Sequence, residues 1–184
     1  MALKLYTMQT VNKNLVVITG MIVLGIITRF IQHPFNFTAI GAVALFSGAY
    51  IRDKRFAYLI PIAALFISDA VIGFHVSIIP VYSCFAFTVF LGTTLRKKQQ
   101  VLNVAFTSII SSVVFFLVTN LPFWYADLSL YPLTWNGTME SYRMAVPFFF
   151  NQLAGDLFFN ALLFGVYAVV SKKYFLTPEK IQNR

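Results

Sequence analysis

Three polar side chains recur at four-residue intervals within a stretch that is otherwise aliphatic and aromatic: Gln152, Asp156 and Asn160. Residues four apart share one face of a helix, so these side chains form a polar stripe, with Asn151 beside it. A carboxylate flanked by amides can hold a ligand or an ion, and it can also join helices by hydrogen bonds. The stripe therefore predicts either a binding pocket or a clamp between neighbouring helices.

A second acid, Asp69, lies in the apolar segment AALFISDAVIG, and His75 follows just beyond it. Arg29, at the end of another apolar segment, is the nearest cationic candidate. Buried charges pair where they can. We therefore expect an Arg29–Asp69 ion pair, for which a structural role is favoured over a catalytic one. The two acids and Arg29 form a candidate constellation for substrate binding.

The composition indicates that these residues lie inside a membrane. The chain is 59% hydrophobic and only 11% charged, whereas a soluble domain averages roughly 45–50% apolar and about 25% charged residues. A helix needs about 20 residues to cross a hydrocarbon core of about 30 Å, and the apolar runs have that length. An Asp at the centre of such a helix costs about 2.5–3.5 kcal/mol on insertion scales. Asp156 should therefore face the bundle interior or a wet cavity.

We predict an all-α membrane protein, a bundle of six transmembrane helices that forms a single domain over residues 1–184. The spans run roughly over Leu15–Ile31, Phe37–Ile51, Phe56–Gly73, Ile78–Leu95, Val101–Leu121 and Ala145–Val170. The second span is short and rich in small residues. No small-x-small cleavage site follows the first apolar run, so we expect that helix to remain uncleaved.

The basic residues predict the orientation. The net charge is +8, and twelve of the 14 Lys and Arg residues lie on one predicted side, with Arg29 and Arg143 on the other. Cytoplasmic loops carry such an excess of basic residues. We therefore predict a protein of the inner membrane with both termini in the cytoplasm. The basic clusters should attract anionic lipid, and we do not expect a nucleic-acid partner.

The predicted outer connection, between Leu121 and Ala145, contains both tryptophans of the chain, Trp124 and Trp135. Its length of about 20 residues exceeds the usual 2–8 between packed helices. Two interpretations stay open. The aromatic residues form a belt at the membrane interface, or the segment is a lid over an outward-facing pocket.

Small residues mark one face of the second span, where Gly41 precedes Ala44 and Gly48. Such a face allows close helix contact, either inside the bundle or with a second membrane protein that docks on it.

No residue pattern in the chain predicts an enzyme or a resident cofactor. Cys84 is the only cysteine, and within a span it is typical of a small apolar filler, with a soft-metal ligand as the alternative. Metal-protease, P-loop and Rossmann motifs are absent.

Three stretches resemble a known family: RFIQHPFNFTAIGAVALFSGAYIRDKR, PIAALFISDAVIGFH and YPLTWNGTMESYRMAVPFFFNQLAGDLFFNALLFG. They are similar to an uncharacterised bacterial integral membrane family, common in Bacteroidetes and related to the substrate-binding (S) components of energy-coupling factor transporters. The resemblance covers residues 29–165. It implies six helices, capture of a vitamin or metal ion at the outer side, and docking on a coupling membrane protein driven by two ATPases. The first helix carries glycines and threonines where S components have an Ala-x-x-x-Ala docking motif.

The sequence therefore predicts a non-ATPase membrane subunit that captures a vitamin or other micronutrient for import. Two other classes stay open: a structural or assembly protein in which the stripe only clamps helices, and a stand-alone proton-coupled carrier that uses Asp156. Because no nucleotide-binding motif is present, a partner or an ion gradient must supply the energy.

Overall fold

A computed structural model describes residues 19–31, 34–97, 99–125 and 129–175 of the chain. The described residues form six α-helices and no strand, so the predicted all-α class is confirmed. The helices are α1 (Thr19–Phe30), α2 (Ile40–Tyr50), α3 (Lys54–Ile72), α4 (Ile78–Thr94), α5 (Val101–Thr119) and α6 (Trp135–Phe175). Short 3-10 turns follow α4 and α5, at Leu95–Lys97 and Pro122–Trp124. The start of the first predicted span, residues 15–18, lies outside the described residues.

Four of these helices, α3 to α6, are long and apolar enough to cross a membrane. Their large apolar side chains lie mainly on the outside of the bundle; Val71, Ile79 and Phe106 are all more than 60% exposed. Contiguous exposed apolar surface on this scale marks contact with lipid or with another protein. The helices are therefore compatible with a membrane protein. Two further helices, α1 and α2, are apolar but shorter.

The short helix α2 forms the centre of the bundle. All its residues from Ile40 to Ala49 are buried, and it packs against α3, α4, α5 and α6. Its closest neighbour is α4, because a Cβ atom at Gly48 would lie 2.1 Å from the carbonyl oxygen of Val89. A Cβ atom at Gly92 would lie 2.2 Å from the carbonyl oxygen of Leu45. The two glycines thus allow the two backbones to touch.

Side chains from other helices satisfy both ends of α2. At its start, the Ala39 amide N–H donates to Thr28 Oγ1 on α1, at 3.1 Å. At its end, Arg96 donates from Nε to the Gly48 carbonyl at 3.0 Å and from Nη2 to the Ile51 carbonyl at 2.8 Å. These bonds matter because the terminal N–H and C=O groups of a helix have no partner within it. They allow a short helix to end inside an apolar bundle.

The last helix begins earlier than the predicted span, which starts at Ala145. It begins at Trp135, where the Thr134 hydroxyl accepts a hydrogen bond from the Gly137 amide at 3.1 Å and so caps the helix. Hydropathy did not reveal this start because the first turns contain the exposed pair Glu140 and Arg143. The predicted outer connection is therefore partly helical, and Asp127 within it lies outside the described residues.

Candidate functional site

Arg29 and Asp69 form the predicted ion pair. Arg29 Nη2, near the end of α1, donates to Asp69 Oδ1 at 2.5 Å. Tyr82 Oη, on α4, donates to the other carboxylate oxygen at 2.8 Å. Asp69 is 1% exposed and Arg29 is 18% exposed. The carboxylate thus uses both oxygens to tie α3 to two other helices, and it holds the guanidinium group in place.

Asp156 lies in the bundle interior, as its cost of insertion predicts. Its Oδ2 atom accepts a hydrogen bond of 2.8 Å from Ser112 Oγ on α5, and the Gln152 side chain lies beside the carboxylate on the same helix face. The glycine at position 41 makes room for it, because a Cβ atom there would lie only 2.0 Å from Asp156 Oδ1. The carboxylate is therefore pressed against the backbone of the central helix α2.

Asn160, the third member of the stripe, lies one helical turn after Asp156 on α6 and is 2% exposed. Its Nδ2 atom donates to Ser108 Oγ at 3.0 Å, while its Oδ1 atom is buried without a hydrogen-bond partner among the described residues. Asp156 and Asn160 together link α6 to α5 through two serines. Both interpretations of the stripe thus have physical support, since Gln152 and Asp156 also line a cavity, whereas Asn160 does not.

The cavity, with a volume of about 300 Å³, opens beside the start of α2. Four residues predicted from the sequence to bind a substrate line it: Arg29, His75, Gln152 and Asp156. Its apolar wall includes Ile40, Leu65, Ile72, Val81, Phe85 and Phe115. A small apolar pocket with a few convergent polar groups is the usual form of a small-molecule site. The fold therefore brings one cation and one acid, far apart in sequence, to the same space.

Other predicted site residues lie elsewhere. Asp69 stands behind Arg29 as its partner and does not itself line the cavity. Asn151 is half-buried on α6 outside the cavity lining. Trp124 donates from Nε1 to the Val118 carbonyl at 2.8 Å, after the end of α5. Trp135, the first residue of α6, is 76% exposed. The two tryptophans thus lie apart from the cavity, and the lid and belt interpretations of their segment stay predictions.

The three small residues of α2 are all buried inside the bundle. Gly41 faces Asp156, Gly48 contacts the backbone of α4, and Ala44 is 0% exposed. This arrangement favours internal packing over the docking of a second membrane protein on this face.

Sequence reasoning missed a stripe of hydroxyl groups on α5. Thr107, Ser108, Ser111 and Ser112 are buried on one face of this otherwise apolar helix. Ser108 and Ser112 form the hydrogen bonds to α6 described above. Ser111 Oγ forms a hydrogen bond of 2.5 Å with Thr88 Oγ1 on α4. Their spacing, in adjacent pairs four residues apart, is a helical periodicity that could have revealed a polar layer across three helices.

Metal-ligating residues do not converge in the described part of the chain, where no group of three His, Cys, Asp or Glu side chains could hold a metal ion. Cys84 is buried within α4, and Thr88 Oγ1 donates to its backbone carbonyl at 2.9 Å. The polar groups available for chemistry in the cavity are thus hydrogen-bond donors and acceptors, among them one guanidinium group and one carboxyl group.

These features define an all-helical protein with four helices able to cross a membrane and a mainly apolar cavity, with a few polar groups, beside the start of α2. The chain belongs to a family of unknown function, DUF6580, whose family model matches residues 9–180. Comparisons with curated proteins and with solved structures gave no match.

Proposed function

We propose that this protein is a multi-pass membrane subunit, similar to the S components of energy-coupling factor transporters, that captures a vitamin or other micronutrient for import. The observation that carries the proposal is the cavity of about 300 Å³ in which Arg29, His75, Gln152 and Asp156 converge. Ligand pockets measure about 300–1,000 Å³. The cavity therefore suits a small molecule rather than a large cofactor.

The proposal includes a topology and an energy source. The chain crosses the inner membrane six times in this topology, and non-helical backbone on either side of the short helix α2 completes the second crossing. Both termini lie in the cytoplasm, as the distribution of basic residues favours. A coupling membrane protein with ATPases drives the import step. Polar groups inside a membrane are costly and are typical of substrate pathways. The charged cavity lining supports a role in transport for this reason.

A thermal-shift screen of the detergent-purified protein over vitamins, their precursors and divalent metal ions tests this function. Val81 lines the cavity, so Val81→Trp should fill the space and abolish the stabilisation that a ligand gives the wild type. Val71→Trp is the matched control, because Val71 is 71% exposed on the outer face of α3. This variant should respond as the wild type does.

Two outcomes of this screen would overturn the function. In one, no compound of the panel stabilises the wild-type protein. In the other, a compound stabilises the wild type and Val81→Trp equally, so that it binds outside the cavity. Because Val81→Trp alters shape and leaves every charge in place, the test does not depend on the charge of the ligand.

A structural or assembly role is the alternative, and the direct hydrogen bonds from Ser112 to Asp156 and from Asn160 to Ser108 favour it. Asp156→Asn keeps an oxygen acceptor, so a mere clamp should tolerate this change in both folding and ligand response. Asp156→Leu removes the acceptor. Loss of folding in the leucine variant, together with an unchanged ligand response in the asparagine variant, would favour the clamp.

A further inference from the structure

The charges around the cavity do not balance. Arg29 lines the cavity, but its charge is already matched by Asp69, which lies behind it at 2.5 Å. Asp156 lines the same cavity and is 5% exposed. Its neighbours are the neutral side chains Ser112 and Gln152, and within the described residues no cationic group forms an ion pair with it. The cavity therefore contains one carboxylate without a positive partner.

Two aromatic rings form part of the cavity wall. Phe85 on α4 and Phe115 on α5 both line the cavity, and their ring centroids are 5.3 Å apart at an interplanar angle of 54°. The faces of aromatic rings carry partial negative charge and attract cations, most strongly where water is excluded. This wall therefore favours a positively charged ligand, as Asp156 does, and it does so for a reason that does not depend on the carboxylate.

We infer that the cavity selects a small organic cation, with a protonated nitrogen that binds Asp156 and an apolar or aromatic body that packs on Phe85 and Phe115. The inference rests on the proposed capture function and names its substrate class. A positive ligand supplies the partner that a buried carboxylate needs in order to remain ionised. An anionic ligand would instead add a second negative charge beside Asp156, while Arg29 is already engaged by Asp69.

The test uses three probes with the same ring and different charge: benzylamine, benzyl alcohol and benzoate. Binding to the full-length, detergent-purified protein is measured by calorimetric titration at a pH where benzylamine is protonated. We expect benzylamine to bind most tightly. Asp156→Asn should weaken it about 10- to 100-fold, the loss of one charged hydrogen bond, and leave benzyl alcohol unaffected. Asp53→Asn is the matched control, since Asp53 is an exposed cap of α3 and asparagine caps helices equally well.

A second variant keeps the inference testable if Asp156→Asn does not fold. Phe115→Leu removes one aromatic face and should weaken benzylamine about 3- to 30-fold, with a smaller effect on benzyl alcohol. Equal or tighter binding of benzyl alcohol or benzoate by the wild type would overturn the cation inference and leave the capture function standing. Absence of binding by all three probes also overturns it, whereas the capture function fails only with the broad screen and Val81→Trp.

Discussion

Replacing Gly48 with alanine should force α2 away from α4 and destabilise the bundle. The new methyl group would lie 2.1 Å from the carbonyl oxygen of Val89 and 3.0 Å from Gly92 Cα, whereas ordinary contact begins at 3.4 Å. Both opposing atoms belong to the backbone, so no side chain can rotate away. The helices must therefore separate by about 1 Å, and a gap of that size forfeits a quarter to a half of the dispersion energy of each contact across it.

The size of the effect follows from two opposing terms. Overpacking typically costs about 1–3 kcal/mol, and a clash between backbones belongs at the upper end. Alanine regains about 1 kcal/mol of helix propensity over glycine, so the net loss is about 2 kcal/mol. Gly165→Ala is the matched control, because a Cβ atom there meets nothing within 4 Å. The free energy of unfolding of the Gly165→Ala variant should rise by up to about 1 kcal/mol.

Thermal unfolding in detergent distinguishes the two variants. A difference of about 3 kcal/mol corresponds to roughly 6–12 °C in melting temperature for a chain of this size. The double variant Gly48→Ala/Gly92→Ala should lose less than the sum of its parts, since one separation of the helices relieves both clashes. If Gly48→Ala melts at the same temperature as Gly165→Ala, the close contact between α2 and α4 is wrong.

Three further predictions concern the Arg29–Asp69 ion pair, the polar layer and the topology. Asp69→Asn should destabilise the bundle by about 3 kcal/mol, because it leaves a partly buried guanidinium group without its partner; Glu140→Gln, in the exposed pair with Arg143, should leave the melting temperature unchanged. Ser112→Ala should cost about 1 kcal/mol in thermal unfolding, as expected for one hydrogen bond between membrane helices; a neutral result would remove this serine from the network around Asp156. Single cysteines introduced beside Lys97 should be protected from a membrane-impermeant reagent in intact cells, and those beside Trp135 should react. Labelling beside Lys97 would contradict the predicted orientation of the protein in the membrane.

The sequence predicted the parts of the site that depend on helical periodicity and on the cost of buried charge. Gln152, Asp156 and Asn160 share one buried face because four-residue spacing places them there in any helix. The Arg29–Asp69 pair could be anticipated because unpaired charges are costly in apolar surroundings. The spacing of the stripe needs no tertiary information, and the ion pair could be anticipated because Arg29 and Asp69 are both placed at the same membrane level by the predicted spans.

The rest depends on which helices are neighbours, and one sequence does not contain that information. The serines of α5 matter only because α5 lies against the stripe of α6, where Ser112 bonds to Asp156. Similarly, Gly41 and Gly48 share a small-residue pattern, but one faces a carboxylate and the other faces the backbone of α4. Hydropathy predicts that Trp135 lies in a connection because it measures solvent preference, whereas a cap at Thr134 sets the start of α6.

The shortness of α2 explains why a cavity exists at this place. A helix of 11 residues is about 16 Å long, roughly half of a hydrocarbon core of about 30 Å. The longer helices around it extend further, so space is left beyond its first residue, Ile40. The cavity occupies that space, lined by Thr38, Ile40 and Gly41 from the start of α2 and by Asp156 from α6. Backbone that leaves a helix at membrane depth is tolerated where it is buried in protein or lines a polar cavity. The shortness of α2 thus has two consequences. It makes Thr28 and Arg96 necessary as partners for the ends of the helix, and it creates the pocket for a ligand.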